Sequence, residues 1–184
     1  MPALQNEDLA GSIPALQDLL DLREQVHSGD PQNIEAQAAR RYWLALFGEN
    51  FRRDRDADDQ NRLLNYGYAI LRATVARAIC AAGLHPSLGL HHHNRYDTFC
   101  LASDLMEPFR PLVDNVVVQY IRQHGSNAPL DKAAKAALLA PITARYTADG
   151  ESRTLFDLLA RVASSLTDVY MEEGKELYLP ELLA

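Results

Sequence analysis

The sequence lacks the features that would place it in a membrane, in the secretory pathway or in a disulfide-rich class. No apolar run approaches the roughly 20 residues of a membrane-spanning helix, and no charged-then-apolar leader follows Met1. Its two cysteines, Cys80 and Cys100, lack the spacing of a metal-ligand or disulfide framework. We therefore expect a cytoplasmic protein without membrane contact. We expect both thiols to be small buried hydrophobes, and the sequence alone leaves a disulfide between them open.

The sequence also lacks the basic excess that is usual in nucleic-acid-binding domains. Its formal net charge is −7, which argues against a generic polyanion binder. Fifteen of the 18 basic residues are nevertheless arginine, and ten of these lie between Arg40 and Arg110. Acidic residues in the same stretch leave its net charge only slightly positive. Any nucleic-acid surface must therefore be local, and a solvated charged face is the alternative.

What the sequence does contain is helical periodicity. With 184 residues, 47% of them hydrophobic, the chain can bury one core, and we predict a single all-α domain over residues 1–184, a bundle of about six helices. The predicted helices run from Ser12 to about His27, over 30–47, 60–82, 99–124, 130–140 and 154–173. The fourth is kinked at Pro108 and Pro111, the fifth ends at Pro141, an extended piece covers 143–147, residues 1–11 are disordered or loosely docked, and an extended tail covers 174–184.

The most informative stretch combines histidines and carboxylates. Three histidines at 91–93 follow a glycine, and Asp104 and Glu107 stand three apart at the head of the fourth predicted helix. Residues at this spacing share a helix face, so the two carboxylates could share a site of metal chemistry. Pro108 has no N–H and crowds the carbonyl of Asp104, which breaks the helix locally. The alternative left open is that Asp104 caps the helix, Glu107 pairs with Arg110 and the histidines form a solvated loop.

Two further groups of candidates lie on the second and third predicted helices. Glu35 stands in a first helical turn, where a glutamate serves the helix dipole if nothing else is known. Asn65, Tyr68 and Arg72 share one face of the third helix, and a core hydrogen-bond network is the simplest role of Asn65 and Tyr68. Gly67 lies inside that helix and indicates close packing, because glycine otherwise costs about 1 kcal/mol there relative to alanine.

Four segments together resemble the CRISPR adaptation integrase, the first CRISPR-associated protein. They are the glutamate segment 35–43, the segment 65–71 of a central helix, the Gly-Leu-His-Pro-Ser-Leu-Gly-Leu-His-His-His segment 83–93, and the Leu-Ala-Ser-Asp-Leu-Met-Glu-Pro-Phe-Arg-Pro-Leu-Val-Asp segment 101–114. They occur in the family's order and cover roughly residues 30 to 125. The sequence of the last segment looks most like that of the type II branch of the family, which accompanies the large RNA-guided effector nuclease.

The resemblance implies a fold and a set of catalytic residues. The fold would be the family's helical catalytic lobe without its N-terminal β-rich domain, either as a lobe alone or as a truncated parent. Glu35, His92 and Glu107 would hold Mg²⁺ or Mn²⁺, with Asp104 as a nearby second carboxylate that binds through water or orients a ligand. His91 and His93 would be neighbours that touch phosphate or have no role.

The resemblance also implies a reaction and partners. The family joins captured DNA to the CRISPR repeat by transesterification from 3′ hydroxyls during spacer acquisition in antiviral defence, and it cuts branched and double-stranded DNA. Partners would be DNA and a small ferredoxin-like adaptation protein, with a homodimer in the full-length family. Asn65 and Tyr68 would line the site, and the expected phosphate contacts are Arg40, Arg41, Arg72 and Arg95.

Two other functions remain open at the level of sequence. The chain could be an isolated, catalytically weak helical lobe that serves as an interaction or scaffold module with incidental metal binding. It could also be a hydrolase unrelated to DNA, although the sequence has no nucleophile elbow and no phosphate-binding glycine loop. Convergence of Glu35 with His92 and Glu107 would favour the integrase.

Overall fold

The computed structural model describes residues 16–27, 30–174 and 176–181. The chain divides into two compact units, Met1–Asp54 and Arg55–Ala184, which we describe separately. The predicted loose start at 1–11 and the predicted helix opening at Ser12 lie outside the described residues. A single domain over residues 1–184 stays a prediction.

The described part of the first unit contains two helices. The first, α1, is helical over residues 16–23, so it ends before the predicted His27. The second, α2 (Ile34–Phe47), ends as predicted at Gly48, which has a φ of 84°. It begins later than predicted, because Asp30 adopts a left-handed φ of 39°. The Asp30 carboxylate still caps the helix, accepting hydrogen bonds from the N–H of Ile34 at 2.7 Å and of Glu35 at 3.0 Å.

The second unit contains most of the described structure. Its elements are α3 (Asn61–Ala81), α4 (Cys100–Met106), a 3₁₀ turn (Glu107–Phe109), α5 (Arg110–His124), α6 (Lys132–Thr143), β1 (Arg145–Ala148), β2 (Glu151–Thr154) and α7 (Leu155–Tyr170). The predicted helical bundle is therefore confirmed, with a small two-stranded hairpin that the prediction did not contain in full.

Helix α3 lies at the centre of this unit and packs against α4, α5, α6 and α7. Its apolar face is buried along its whole length, from Leu63 to Ile79. The close packing predicted at Gly67 is confirmed, since a Cβ there would collide with Cγ1 of Val113 and lie 3.4 Å from Cδ2 of Leu138. Glycine thus lets α5 and α6 approach the central helix.

At Pro108, where a kink was predicted, a 3₁₀ turn interrupts the α-helical hydrogen bonding. Helix α4 ends at Met106, the 3₁₀ turn follows, and α5 starts a new helix at Arg110. Proline cannot donate the next helical hydrogen bond, and the buried Phe109 holds the turn against the core. Asp104 and Glu107 consequently lie on two different elements.

Two boundaries were predicted wrongly. Pro141 does not end α6 but lies inside it, buried, and the helix continues to Thr143. A proline so close to the end removes only one hydrogen bond, and the helix continues beyond it, with the N–H of Ala144 donating to the carbonyl of Ala140 at 3.0 Å. The predicted extended piece belongs to a hairpin whose turn residues Asp149 and Gly150 have φ values of 53° and 77°. Positive φ at both positions is typical of a tight hairpin turn.

The two cysteines behave differently from each other. Cys100 is buried as predicted, whereas Cys80 is exposed, and both thiols are free. No helix among the described residues is long and apolar enough to cross a membrane.

Candidate active site

The loop between α3 and α4 is folded around the carboxylate of Asp104. One oxygen, Oδ2, accepts hydrogen bonds from the N–H of Leu90 at 2.6 Å and of His91 at 3.1 Å. The other, Oδ1, accepts from the N–H of His92 at 3.2 Å. Three successive backbone donors form a concave cradle that favours an anion. We name residues 88–97 the histidine loop, and Asp104 is its anchor.

Gly89 allows this close approach. A Cβ at this position would lie 2.9 Å from Cβ of Cys100 and 3.0 Å from Oδ2 of Asp104, and it would collide with the carbonyl of His92. The histidine loop therefore requires a residue without a side chain at its start. His92 lies three residues after Gly89, and this spacing is the one by which the family resemblance selects His92 as the metal-binding histidine.

Asp104 also holds the imidazole of His92. The Nδ1 atom lies 2.5 Å from Oδ1 of Asp104, whose side chain is only 7% exposed, while the side chain of His92 is 48% exposed. An ionised carboxylate can only accept, so Nδ1 carries the proton and donates. In the neutral ring Nε2 then carries the lone pair. A carboxylate in this role fixes the tautomer and orientation of metal-ligating histidines.

Asp104 stays charged in this arrangement. Burial by itself raises the pKa of its carboxyl, but the hydrogen bonds from the His92 ring and from the three loop N–H groups outweigh burial and lower the pKa below its ordinary value. The Asp104 carboxylate thus accepts four hydrogen bonds from the histidine loop. Of the two roles predicted for Asp104, ligand through water or orienting group, this arrangement favours the orienting group.

Glu107 forms an ion pair with Arg110, with Nη2 and Oε1 2.9 Å apart. This is the pair that the alternative interpretation of the sequence predicted. Both side chains are partly exposed. The Arg110 guanidinium also lies over the ring of Tyr68, 5.1 Å from its centroid.

Tyr68 is buried, and its hydroxyl donates a hydrogen bond to Asp114 on α5. Asp114 is 2% exposed and was not among the predicted residues. One feature of the sequence points to a role for Asp114, because this carboxylate directly follows the apolar Val113 within a helix. Tyr68 thus joins α3 to α5 by a hydrogen bond, and the guanidinium over its ring is the one paired with Glu107.

The other predicted residues of the second unit lie at several places. Asn65 donates from Nδ2 to the carbonyl of Arg55 at 2.8 Å. Arg72 lies over the ring of Phe99. Arg95 lies over the ring of Tyr96 in the histidine loop, where His91 and His93 are exposed. The aromatic partners of the two arginines were not predicted.

The predicted residues of the first unit lie on α2. Glu35 is exposed in the first turn, as its position in the sequence predicted. Arg40 is exposed, and Arg41 lies 3.5 Å from Asp18. Among the described residues of the second unit, no three His, Cys, Asp or Glu side chains form a ready metal centre. That Glu35 completes one with His92 and Glu107 stays a prediction.

The helical fold of this chain is also found in a protein of known structure. A solved casposase bound to an integration product shares it, with a TM-score of 0.71 and 22% identity over 88% of this chain and 53% of that chain. A family profile described as CRISPR associated protein Cas1 matches residues 3–144. The chain belongs to this family, and the resemblance drawn from the four segments is confirmed.

Curated relatives agree with this assignment. A CRISPR-associated endonuclease Cas1 of Neisseria meningitidis serogroup C is 38% identical over 177 residues, which cover 96% of this chain and 58% of the relative. A second, from Francisella tularensis subsp. novicida, is 31% identical over 164 residues, covering 82% of this chain and 51% of the relative. The chain thus spans about half the length of the curated relatives it matches.

Proposed function

We propose that this chain is a divalent-metal-dependent DNA endonuclease and integrase lobe that inserts spacer DNA into the CRISPR array. Its family membership supports this, as do relatives named CRISPR-associated endonucleases and a structural neighbour bound to an integration product. The observation that carries the proposal is the fixed His92–Asp104 pair. In this pair, Asp104 holds the exposed imidazole of His92 in the tautomer and orientation that suit a metal ligand.

The donor set fits Mg²⁺ or Mn²⁺. Nε2 of His92 with carboxylate oxygens of Glu35 and Glu107 is a set of intermediate to hard ligands, unlike a closed thiolate site for zinc. When bound, the metal supplies Lewis acidity to the attacked phosphate and lowers the pKa of the attacking hydroxyl. The ion pair of Glu107 with Arg110 is partly exposed, and such pairs contribute little to stability.

The chain's own groups would then have separate roles. Asp104 keeps the proton on Nδ1 of His92 and so keeps Nε2 available. Arg110, once released by Glu107, would become available for a phosphate contact. Further phosphate contacts are assigned to Arg40, Arg41, Arg72 and Arg95, which position DNA without reading its sequence.

The proposed partners are double-stranded and branched DNA. A homodimer and a small ferredoxin-like adaptation protein are proposed for chains of the family that carry the N-terminal β-rich domain. We assign Asn65 and Tyr68 to the lining of the site, as the family resemblance implies. Asn65 bonds to the backbone of Arg55, and the Arg110 guanidinium lies over the ring of Tyr68.

The test measures metal binding and DNA processing separately. Mn²⁺ affinity is measured by calorimetry, and processing of a branched DNA by gel, for the wild type, His92→Ala and the control His124→Ala, with EDTA added in parallel. His124 is exposed and stacks on Tyr120 at the end of α5. We expect His92→Ala to lose Mn²⁺ binding and DNA processing, and EDTA to abolish DNA processing by the wild type. His124→Ala should keep both Mn²⁺ binding and DNA processing.

Other outcomes separate the alternatives. Unchanged processing in His92→Ala or in EDTA would refute the proposed site. Metal binding that depends on His92 without any DNA processing by the wild type would instead support the catalytically weak lobe that serves as an interaction module.

A further inference from the structure

Helix α5 carries a buried carboxylate to which the proposed chemistry gives no role. Asp114 is 2% exposed, and it accepts a hydrogen bond from the hydroxyl of Tyr68, which lies 46 residues earlier on α3. A carboxylate that is taken out of water loses free energy unless hydrogen bonds or a charge partner compensate it. A core position that keeps such a group is therefore a candidate for a functional role.

Tyr68 connects this carboxylate to a cation at the edge of the core. The hydroxyl at the end of its side chain is held by Asp114, and the guanidinium of Arg110 lies over the face of its ring, 5.1 Å from the centroid. The electrons of an aromatic ring attract a cation in this position. Because the hydrogen bond fixes the ring from the core side, the ring is a fixed surface under the guanidinium.

The hydrogen bonding of Arg110 itself does not explain where its guanidinium lies. Its Nη2 atom is paired with Oε1 of Glu107 at 2.9 Å. Among the residues that the structure describes, however, the buried Nε of Arg110 has no hydrogen-bond partner. A donor buried in this way loses its bonds to water without replacement. The ring of Tyr68 and the carboxylate of Glu107 together must therefore hold the guanidinium in place.

These two contacts of Arg110 respond differently to a metal ion. Under the proposed function Glu107 becomes a metal ligand, and its partly exposed ion pair, a weak kind of contact, is lost. The ring of Tyr68 is not a metal ligand, and its bond to Asp114 is buried. This second contact therefore remains and keeps Arg110 from moving into solvent.

We propose that Asp114, acting through Tyr68, is a positioning residue that keeps the guanidinium of Arg110 beside Glu107 after the ion pair is lost. The proposal rests on the proposed function in taking Glu107 as a metal ligand. It assigns a role to Asp114, and it makes Tyr68 a residue that orients a cation. A cation that is already in place needs no reorganisation when charge develops on a phosphate.

The first measurement tests the hold on Arg110 without metal or DNA. Glu107→Ala removes the ion pair, and NMR relaxation of the Arg110 Nε–H group then reports how rigid the guanidinium is. The measurement is repeated after adding Tyr68→Phe, which keeps the ring but loses the hydroxyl, or Asp114→Asn, which weakens the acceptor. Added Tyr146→Phe is the control, because this half-buried tyrosine on β1 also donates to a carbonyl, at 2.9 Å.

We expect Arg110 to stay ordered in Glu107→Ala, with an order parameter above about 0.6, the value below which a group counts as flexible. Adding Tyr68→Phe or Asp114→Asn should lower the order parameter below about 0.6, and adding Tyr146→Phe should leave it unchanged. An Arg110 that is already mobile in Glu107→Ala would overturn the proposal. So would an Arg110 that stays ordered when Tyr68→Phe or Asp114→Asn is added.

The second measurement tests the consequence for the reaction. Single-turnover processing of a branched DNA is compared for the wild type, Tyr68→Phe, Arg110→Gln and the double variant, with Mn²⁺ affinity measured in parallel. Tyr68→Phe should slow processing by about 10- to 100-fold, as expected for a displaced group beside a reacting centre. Mn²⁺ affinity should not fall, because the proposed ligands are unchanged. In Arg110→Gln, adding Tyr68→Phe should cause no further loss, because its effect passes through Arg110.

A loss from Tyr68→Phe that is as large in Arg110→Gln as in the wild type would overturn the proposal, because the effect would then bypass Arg110. The two measurements also separate this proposal from the proposed function. If the wild type does not process DNA, the proposed function fails, and the order of Arg110 alone decides whether Asp114 positions it. If processing depends on His92 but Tyr68→Phe leaves Arg110 ordered, the positioning role alone is wrong.

Discussion

Asp104 determines the conformation of the histidine loop because one carboxylate meets four donors. Three are backbone N–H groups, and the fourth is Nδ1 of His92. Hydrogen bonds to an ionised acceptor are about twice as strong as neutral ones. Removing this charge should therefore loosen the loop and free the imidazole at once.

Asp104→Asn tests this role directly. The amide keeps the size of the side chain but replaces one acceptor oxygen with a donor, which then faces backbone N–H groups. We expect faster hydrogen exchange at the amides of residues 90–92, and Mn²⁺ affinity lower by about 10- to 100-fold, the usual effect of losing an orienting carboxylate. NMR hydrogen exchange and calorimetry measure the two effects.

The matched control is Asp131→Asn, which alters a carboxylate that accepts from the N–H of Ala134 at the start of α6. It should leave the histidine loop amides protected and Mn²⁺ affinity unchanged. Equal protection of residues 90–92 in wild type and Asp104→Asn would contradict the anchoring role.

At this scale the sequence predicted contacts between near neighbours in the chain better than contacts between residues far apart in it. The i,i+3 spacing was enough for the pair of Glu107 with Arg110, because that contact is local. The bonds from Asp104 to the loop span 12 to 14 residues and depend on how the chain turns at Gly89. No periodicity encodes such a turn, and the same holds for Tyr68 and Asp114, 46 residues apart.

Among the elements, the contact between α3 and α5 gives a prediction about Gly67. Alanine would gain about 1 kcal/mol of helix propensity. Its Cβ would however collide with Cγ1 of Val113, and overpacking of a core costs about 1–3 kcal/mol. We expect Gly67→Ala to lower the free energy of unfolding, as measured by urea denaturation.

A double-mutant cycle with Val113→Ala separates the clash from other effects. Because both changes act at one contact, the double variant should be more stable than the sum of the single losses predicts. Strict additivity would show that Gly67 is not required for the approach of α5.

Helix α7 begins with a capping box that predicts a dependence on pH. The hydroxyl of Thr154 donates to Oδ2 of Asp157 at 2.6 Å, and the N–H of Asp157 donates to that hydroxyl at 3.2 Å. The hydrogen bond from the Thr154 side chain, then that from its N–H, lowers the pKa of Asp157 below its ordinary value. Stabilisation by the charged form is present above that ordinary pKa and is lost as the pH falls through the lowered one.

Asp157→Asn should therefore be less stable than the wild type at about pH 7, and the difference should shrink as the pH falls below the ordinary pKa of an aspartate, because the wild-type carboxyl then protonates. Thermal unfolding across this range measures the difference. Glu173→Gln, at an exposed glutamate beyond the end of α7, serves as the control with little effect at either pH. A constant difference across the pH range would exclude the charge of Asp157 as its cause.

The elements that the sequence predicted well are those with strong local signals. The end of α2 at Gly48 and nearly all of α3 follow from apolar periodicity and glycine stops. Strand β2 was missed because its residues, Glu151 to Thr154, are polar and gain strand structure only by pairing with β1. Pro141 was misplaced because burial inside α6 outweighs the loss of one hydrogen bond.

For the whole molecule, charge is the feature that any DNA-binding proposal must explain. A net charge of −7 repels DNA at long range, so binding requires arginines concentrated at the proposed site. Arg95 and Arg72, each over an aromatic ring, are the candidates for this role. By contrast, Arg161 lies 3.3 Å from Asp149 and over the ring of Tyr178, where its charge is compensated within the lobe.

This distribution predicts how salt acts on binding. The logarithm of the affinity for DNA should fall linearly with the logarithm of the salt concentration. Each phosphate contact that is lost should reduce the magnitude of this slope by about 0.9 for duplex DNA. Arg95→Gln should reduce the slope by about that amount, whereas Arg161→Gln, with the same change in net charge, should leave it unchanged. Equal reductions would mean that DNA senses only the overall charge, and an unchanged slope in Arg95→Gln would remove the histidine loop from the DNA interface. A reduction confined to Arg95→Gln would explain how an acidic chain holds DNA at one place on its surface.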